Sequence, residues 1–274
     1  MLLIIASYAC LHLLLALMIA LLLKRRGTGV PVWQLLAINA YAALQAQGSF
    51  AVSGYAADAP YLLRMLYHIP LNVSQGLMSY MGLAVFFASA ALGFFTSLGF
   101  WLAGSDLVPS IYWLVFGATL FFSITVVMGI FKKGEVHKLR RSWLIRIANL
   151  HAVFTATNAG EVLGLLVLAA LTIPVQALAL SLLFNAFGVP LPDLYLAYLA
   201  IFAGFSLMIS VLPGNFGIRE LLMCLLVAHL GISPLVVISL MLVDRVLQLL
   251  VLSVLSSGGY LLLKNRSSGQ RIAI

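Results

Sequence analysis

A break in hydrophobicity occurs at Leu212-Pro213-Gly214-Asn215-Phe216-Gly217-Ile218-Arg219-Glu220, between apolar runs that cover about residues 194–211 and 221–230. Pro213 ends the incoming helix, and the two glycines let the backbone bend. Because the flanking runs are too apolar for a surface turn, we expect this break to lie at membrane depth. A broken helix is tolerated there only where it is buried in protein or lines a hydrated cavity.

The break would expose the first N–H groups of a half-helix that begins near Phe216, and such a helix end binds anions. Arg219 would lie in the first turn of that helix, where its charge opposes the helix dipole unless an anion or a carboxylate is close. We therefore predict a substrate-binding site that includes Gly214, Asn215, Gly217, Arg219 and Glu220. Two interpretations of Arg219 stay open: a clamp for the phosphate of a head group, or a structural salt bridge with Glu220 or Asp244.

The composition is that of an integral membrane protein. Hydrophobic residues make up 64% of the chain, charged residues 8%, and the mean hydropathy is +1.14, whereas soluble domains have about 25% charged residues. Of the 15 Lys and Arg residues, 12 lie in three clusters, at residues 24–26, 132–146 and 264–271. These clusters predict cytoplasmic loops by the positive-inside rule. Because the rule accounts for the net charge of +8, that charge is not evidence for a nucleic-acid partner, and we expect none. We expect a multi-pass cell-membrane protein with its N-terminus outside and its C-terminus in the cytoplasm.

The hydropathy pattern predicts an all-α fold with five spanning helices and two broken units. The helices are expected at about residues 1–23, 76–100, 109–131, 160–187 and 234–263. The chain is inside at residue 26 and again at residue 132, so the number of crossings between them must be even. The helices at 76–100 and 109–131 already supply two crossings. A single further crossing at 30–72 would make the number odd, so we predict a re-entrant pair of helices there. The region 194–230 is the corresponding broken unit on the outer side.

Each half of the chain is therefore predicted to contain a helix, a re-entrant pair and a second helix, in opposed orientations. Such inverted repeats are typical of transporters, whose binding sites form where broken helices meet near the midplane. The predicted division within one membrane domain is a first repeat at 1–108, a connector helix and basic cytoplasmic loop at 109–146, a second repeat at 147–263, and a cytoplasmic tail at 264–274.

Three arginines lie outside the basic clusters, in apolar surroundings: Arg64, Arg219 and Arg245. Ionisable residues inside a membrane are functional candidates by default. Asp244 is about ten residues into its predicted helix, roughly 15 Å from its start and close to the middle of the bilayer. Neighbours on a helix point about 100° apart, so Asp244 and Arg245 each need a partner from elsewhere.

The acidic residues in apolar surroundings have two interpretations each. Glu220 and Asp244 are either counter-ions for Arg219 and Arg245 or groups that exchange a proton between conformations. Asp58 and Arg64 are either an interfacial ion pair or part of the substrate-binding site.

Other polar residues have simpler explanations. Asn158 and Glu161 are spaced as a helix cap. Asn185 and Gln248 are expected to supply hydrogen bonds between helices. The sequence contains no metal-ligand spacing and no cofactor motif, so we expect neither a metal nor a cofactor.

The motif at 213–220, together with Gly231-Ile232-Ser233 and Asp244-Arg245, resembles the flippase-like transmembrane region of lysylphosphatidylglycerol synthases. That region also occurs as free-standing proteins. The resemblance is strongest over about residues 147–263. It implies movement, between leaflets, of an anionic or phospho-linked lipid, such as a polyprenyl-phosphate or aminoacylated lipid. Pro60-Tyr61-Leu62-Leu63-Arg64 lacks the glycine found beside the arginine in relatives, so Arg64 departs from the family pattern.

Three classes of function follow for comparison. The first is a flippase-like transporter. The second is a non-transporting membrane partner of a glycosyltransferase or lipid synthase. A homo-oligomer is a separate expectation that is compatible with either class. The third is an intramembrane enzyme, which the absence of H-E-x-x-H, C-x-x-C and G-x-S-G motifs argues against. The chain is expected to lack the soluble aminoacyl-transfer domain, so lysine transfer is not implied.

Overall fold

The computed structural model describes residues 1–24, 26–48, 54–102, 116–121, 153, 157–206, 220–221, 223–224, 227 and 232–270. Within these ranges the regular structure is entirely helical. The helices are α1 (Leu2–Lys24), α2 (Val32–Gly48), α3 (Gly54–Tyr67), α4 (Leu71–Leu102), α5 (Ala159–Ala186), α6 (Asp193–Ser206) and α7 (Pro234–Gln270). The predicted all-α fold is confirmed.

Among the described residues, four helices are long and apolar enough to cross a membrane: α1, α4, α5 and the Pro234–Gly258 part of α7. They match the spans expected at 1–23, 76–100, 160–187 and 234–263, and the chain is a multi-pass membrane protein. The expected helix at 109–131 lies mostly outside the described residues. Its described part, residues 116–121, is helical. The outward faces of α5 and α7 carry exposed large apolar side chains at helical spacing, as lipid contact requires: Leu163, Val167, Leu171, Leu178, Leu235, Ile238, Leu242, Val246, Leu250 and Val254.

Two helix boundaries differ from the prediction by more than two residues. Helix α4 begins at Leu71, five residues before the expected start, because the polar Ser74 bonds within the protein: its hydroxyl donates to the Pro60 carbonyl at 3.1 Å and can also donate to Pro70 and Leu71. Helix α7 continues to Gln270, beyond the expected end at 263. Hydropathy marks where a helix leaves the membrane, and it does not mark where the helix ends.

Between residues 30 and 72, the described residues form the helices α2 and α3 and the start of α4. The 17 residues of α2 and the 14 of α3 give lengths of about 25 and 21 Å, less than the roughly 30 Å of a hydrocarbon core. The Tyr67 hydroxyl donates to the Gln34 side-chain oxygen and joins the two helices. Helix α3 ends as His68 adopts a left-handed conformation (φ 56°) and donates its N–H to the Arg64 carbonyl. Two short packed helices are what a re-entrant pair requires, and their depth in the bilayer stays a prediction.

Helix α5 begins with the predicted cap. The Asn158 side chain accepts from the Glu161 N–H at 2.8 Å, and the Glu161 carboxylate accepts from the Asn158 N–H at 3.2 Å. This reciprocal arrangement is a capping box. The interpretation of Glu161 as a helix cap is confirmed.

The helices of the two halves pack in corresponding ways. Helix α1 packs most extensively on α5, across the two halves, and α1 packs on α2 as α5 packs on α6. Between the halves, α7 packs on α2 and α4 packs on α6. Exchanging α1 with α5, α2 with α6 and α4 with α7 leaves this set of neighbours unchanged. An inverted repeat requires such a pattern, and the repeat itself, with its division of the chain, stays a prediction.

Candidate functional site

Helix α7 places an acid and a base next to each other in the middle of an apolar segment. Asp244 and Arg245 are ten and eleven residues after Pro234, in the 25-residue stretch that is able to span a membrane. Asp244 is 0% exposed and Arg245 is 7% exposed. Charged groups buried this far from water are costly unless they are paired and hydrogen-bonded. Their partners therefore define the site.

Both carboxylate oxygens of Asp244 accept hydrogen bonds. The Tyr8 hydroxyl, from α1, donates to Oδ1, and the Gln248 side-chain amide donates to Oδ2 at 2.9 Å. Tyr8 is itself 0% exposed. The bond therefore ties the first spanning helix to the last through a buried carboxylate. The expectation that Gln248 bonds between helices is wrong, because its amide reaches Asp244 one turn earlier on the same helix.

Arg245 takes its partner from the segment that follows the predicted break. Its Nε donates to Glu220 Oε1 at 3.2 Å, and the two side chains are only 9% and 13% exposed. Glu220 is thus a counter-ion of Arg245, one of the two roles that the sequence left open for it. The ion pair joins Glu220, the last residue of the 212–220 motif, to the middle of α7.

The structure brings Glu220, Asp244 and Arg245 together, and we call these three residues with Tyr8 the buried charge cluster. The other predicted site residues at the break, Gly214, Asn215, Gly217 and Arg219, lie outside the described residues, so the break itself stays a prediction. Asp58 is in α3, but its side chain is not among those described.

Arg64 is placed differently from Arg245. It lies in the last turn of α3, and its side chain is exposed. No hydrogen bond or ion pair among the described side chains joins it to the buried charge cluster. The structure therefore separates the two described arginines of the predicted site, with one inside the helix bundle and one at its surface.

Helix α1 contributes to the site through Tyr8, which the sequence did not predict. Tyr8 and His12 lie one turn apart on this mostly apolar helix, and the Nδ1 atom of His12 is buried. The available clue was their spacing of four residues, which puts two polar side chains on one face of a helix. Tyrosines near helix ends are ordinarily interface anchors, and this tyrosine is an interior one.

At the opposite end of α1, Arg26 lies near the start of α5. Burial lowers the pKa of the Arg26 guanidinium, and the charge of Glu161 acts in the opposite direction.

Among the described residues, no group of three His, Cys, Asp or Glu side chains is close enough to hold a metal ion.

Comparison with protein-family models matches residues 1–256 to the lysylphosphatidylglycerol synthase TM region. Comparisons with curated proteins and with solved structures give no match. The matched residues include α1 to α6, the 212–220 motif and the buried charge cluster. The match covers far more than half of the 274 residues, so the chain belongs to the family of the lysylphosphatidylglycerol synthase transmembrane region.

Proposed function

We propose that this protein is a flippase-like transporter that moves an anionic or phospho-linked lipid between the leaflets of the membrane. The family indicates a lipid-related role in the membrane. The observation that carries the finer proposal is the buried charge cluster, with Arg245 paired to Glu220 and Asp244 bonded to Tyr8 halfway along a spanning helix. A protein that only needed to stay in the bilayer would have no reason to carry these charges there.

Arg245 is suited to a phosphate. A guanidinium presents its donors in a planar fork that matches phosphate and carboxylate oxygens. In the structure a carboxylate, Glu220, occupies this partner position at 3.2 Å. An anionic head group that replaced Glu220 during passage would keep Arg245 paired at every stage. In this proposal Glu220 is the counter-ion of Arg245 whenever no head group is bound.

The location of the cluster supports an alternating mechanism. Asp244 and Arg245 belong to the second half of the chain, and Tyr8 belongs to the first half. In transporters built from inverted repeats, substrates bind near the midplane where the repeats meet. A hydrogen bond between α1 and α7 at this depth is a contact that must open or shift for the two halves to move relative to each other.

The 212–220 motif completes the proposed site. Arg219 and the N–H groups of the half-helix expected to begin near Phe216 would hold the head-group phosphate, with Gly214 and Gly217 allowing close approach of the backbone. Asn215 would donate to a phosphate oxygen from its side chain. We place the protein in the cell membrane with the N-terminus outside and the C-terminus in the cytoplasm, because the basic clusters at 24–26 and 264–271 favour the inner side.

Reconstitution tests the proposal. Purified protein in liposomes should accelerate leaflet exchange of a head-group-labelled lipid, in a panel that includes polyprenyl phosphates, aminoacylated phosphatidylglycerol and a zwitterionic phospholipid. Arg219→Ala should slow exchange of the anionic lipids at least tenfold with the protein still monodisperse in detergent. Lys24→Gln, at an exposed site in the last turn of α1, is the matched control and should exchange lipid as the unmodified protein does.

The same experiment identifies the alternatives. Exchange no faster than in protein-free liposomes for every lipid would reject transport and favour a membrane partner of a glycosyltransferase or lipid synthase. A covalent change in the recovered lipid would instead favour an enzyme. Cross-linking in native membranes separates a homo-oligomer from a complex with such a partner.

A further inference from the structure

We propose that the outward face of α3 binds the head group of an anionic phospholipid, with Arg64 and His68 holding its phosphate. This lipid is a fixed one, in the leaflet on the side of the basic cluster at residues 24–26. It is distinct from the lipid that the protein is proposed to transport, so the inference goes beyond the proposed function and does not depend on it.

Helix α3 has one face packed against the protein and one face turned away from it. The packed face belongs to a buried apolar cluster with residues of α1, α2 and α4, and its members are at most 8% exposed: Ala59, Leu62, Leu63 and Leu66. Arg64, Met65 and His68 are exposed. At 100° per residue these three lie within one sector of the helix, opposite the packed face. The outward face of α3 is therefore the one that carries a basic residue.

This face lies at an end of α3 that is close to the ends of other helices. The Tyr67 hydroxyl donates to Gln34 in the first turn of α2. Helix α2 begins shortly after the end of α1 and its basic cluster, and α4 begins shortly after the end of α3. Arg64 and His68 are thus on the same side of the membrane as the cluster at 24–26.

The two polar side chains of this face have no protein partner in the described ranges. Neither the Arg64 guanidinium nor the His68 imidazole forms a hydrogen bond or an ion pair there. The acidic residue of α3, Asp58, precedes Arg64 by six residues, about 9 Å along the axis and away from this end. A cation at the edge of an apolar bundle is costly without an anion or water around it, and anionic head groups attract basic residues at that level. Charge complementarity therefore favours an anionic lipid as the occupant.

The spacing of the side chains matches a phosphodiester. Residues four apart on a helix have Cβ atoms about 5–6 Å apart, so Arg64 and His68 can hold one phosphate between them. The guanidinium fork donates to two phosphate oxygens, and the imidazole N–H donates as well. Met65, 54% exposed, adds apolar surface beside Arg64, which suits the glycerol and acyl part of a lipid. Phosphatidylcholine should bind less well, because its quaternary ammonium already neutralises its phosphate.

Binding in a non-ionic detergent tests the site. Native mass spectrometry of the full chain, titrated with phosphatidylglycerol, should show an apparent Kd at least tenfold higher for Arg64→Gln, as expected for loss of a hydrogen bond between charged groups. His68→Gly should weaken binding less, and it is compatible with the left-handed φ of 56° at this position. Lys24→Gln is the matched control, because it removes one exposed positive charge on the same side, and it should change the Kd by no more than twofold.

Two results of this titration would overturn the proposal. An unchanged Kd in Arg64→Gln would remove the guanidinium from any lipid site. Equal weakening by Arg64→Gln and Lys24→Gln would show a diffuse attraction to positive charge and no discrete site on α3.

A second measurement is made in a bilayer. In a Cys10→Ala, Cys224→Ala background, Met65→Cys carries a bimane fluorophore, and the protein is placed in phosphatidylcholine nanodiscs that contain nitroxide-labelled phosphatidylglycerol or phosphatidylcholine. We expect stronger quenching by the labelled phosphatidylglycerol, and Arg64→Gln should abolish the difference. Equal quenching by both lipids before that substitution rejects anionic selectivity. Quenching by neither shows a face covered by protein or water, and it rejects lipid binding.

The fixed lipid and the proposed transport fail separately. Phosphatidylglycerol bound through Arg64 in a protein that exchanges no lipid retains this site and rejects only the proposed function. A tenfold loss of lipid exchange in Arg64→Gln would make the bound lipid a transported one and overturn its assignment as a fixed lipid.

Discussion

The two halves of the chain have corresponding helices and different distributions of charge. In the first half, Arg64 is exposed at the end of α3. Helix α1 carries the buried Tyr8 and the buried Nδ1 atom of His12, and both side chains can be neutral. In the second half, Glu220, Asp244 and Arg245 are packed inside the bundle. Similar helix packing therefore does not imply similar chemistry. The second half supplies the charges, and the first supplies a polar partner that holds one of them.

The largest expected effect comes from breaking the Arg245–Glu220 pair. Arg245→Met removes the guanidinium whose Nε donates to Glu220 Oε1, and breaking a buried ion pair costs about 3–5 kcal/mol of stability. Glu220→Gln in addition should recover most of that loss. Thermal unfolding of the single and double variants in detergent measures both.

Lipid exchange by that double variant then separates structure from function. If the pair only holds the bundle together, the stable double variant exchanges lipid normally. We expect its exchange to stay at least tenfold slow, because the guanidinium that would bind the phosphate is gone. Normal exchange would remove Arg245 from the proposed site.

A smaller effect is expected at the contact between the halves. Tyr8→Phe removes the hydroxyl that donates to Asp244, and a hydrogen bond to a charged group contributes about 1.5–3 kcal/mol. We expect a lower Tm and slower exchange. Tyr61→Phe, at an exposed tyrosine on α3, should change neither measurement. Equal behaviour of the two variants would show that the first half contributes nothing to the cluster.

A change of packing between the halves should have an effect similar to or somewhat smaller than that of Tyr8→Phe. Phe116 lies over Gly93 of α4 and contacts the rings of Tyr198 and Phe202 on α6. A Cβ at Gly93 would be 2.6 Å from the Phe116 ring, so Gly93→Ala should cost about 1–3 kcal/mol through overpacking. Gly99→Ala has open space around its Cβ and should not lower Tm in the same unfolding assay.

The smallest effect is expected at Arg64. An exposed side chain away from special contacts changes stability by about 0.5 kcal/mol or less when it is replaced. Arg64→Gln should therefore leave Tm unchanged and alter exchange less than twofold. A tenfold loss of exchange would place Arg64 in the substrate path after all, and the contrast between the halves would then hold for the resting state only.

The sequence was sufficient for features that depend on local chemistry. The Asn158–Glu161 cap was predictable because both partners are three residues apart, and the mid-span position of Asp244 followed from the start of α7 at Pro234. The need of Asp244 and Arg245 for separate partners was predictable from the angle between neighbours on a helix. These inferences require only one helix at a time.

The identity of those partners was not predictable, because it depends on which helices are adjacent. Tyr8 is 236 residues from Asp244 along the chain, and an aromatic residue in an apolar helix has many possible roles. The Gln248 side chain could have bonded to another helix or to a residue one turn away on its own helix. In the structure it bonds to Asp244, one turn away. Tertiary packing decided the pairing of Tyr8 with Asp244, whereas the Gln248 bond is local to α7.

The uninterrupted course of α7 has a mechanical consequence. The helix extends twelve residues past Gly258, so Gln270 is about 39 Å along the axis from Asp244. A rigid rod pivoting at Asp244 by ten degrees would displace its far end by about 7 Å. A spin label or fluorophore near the end of this lever would thus magnify small rearrangements at the charged centre into distances that are readily measured.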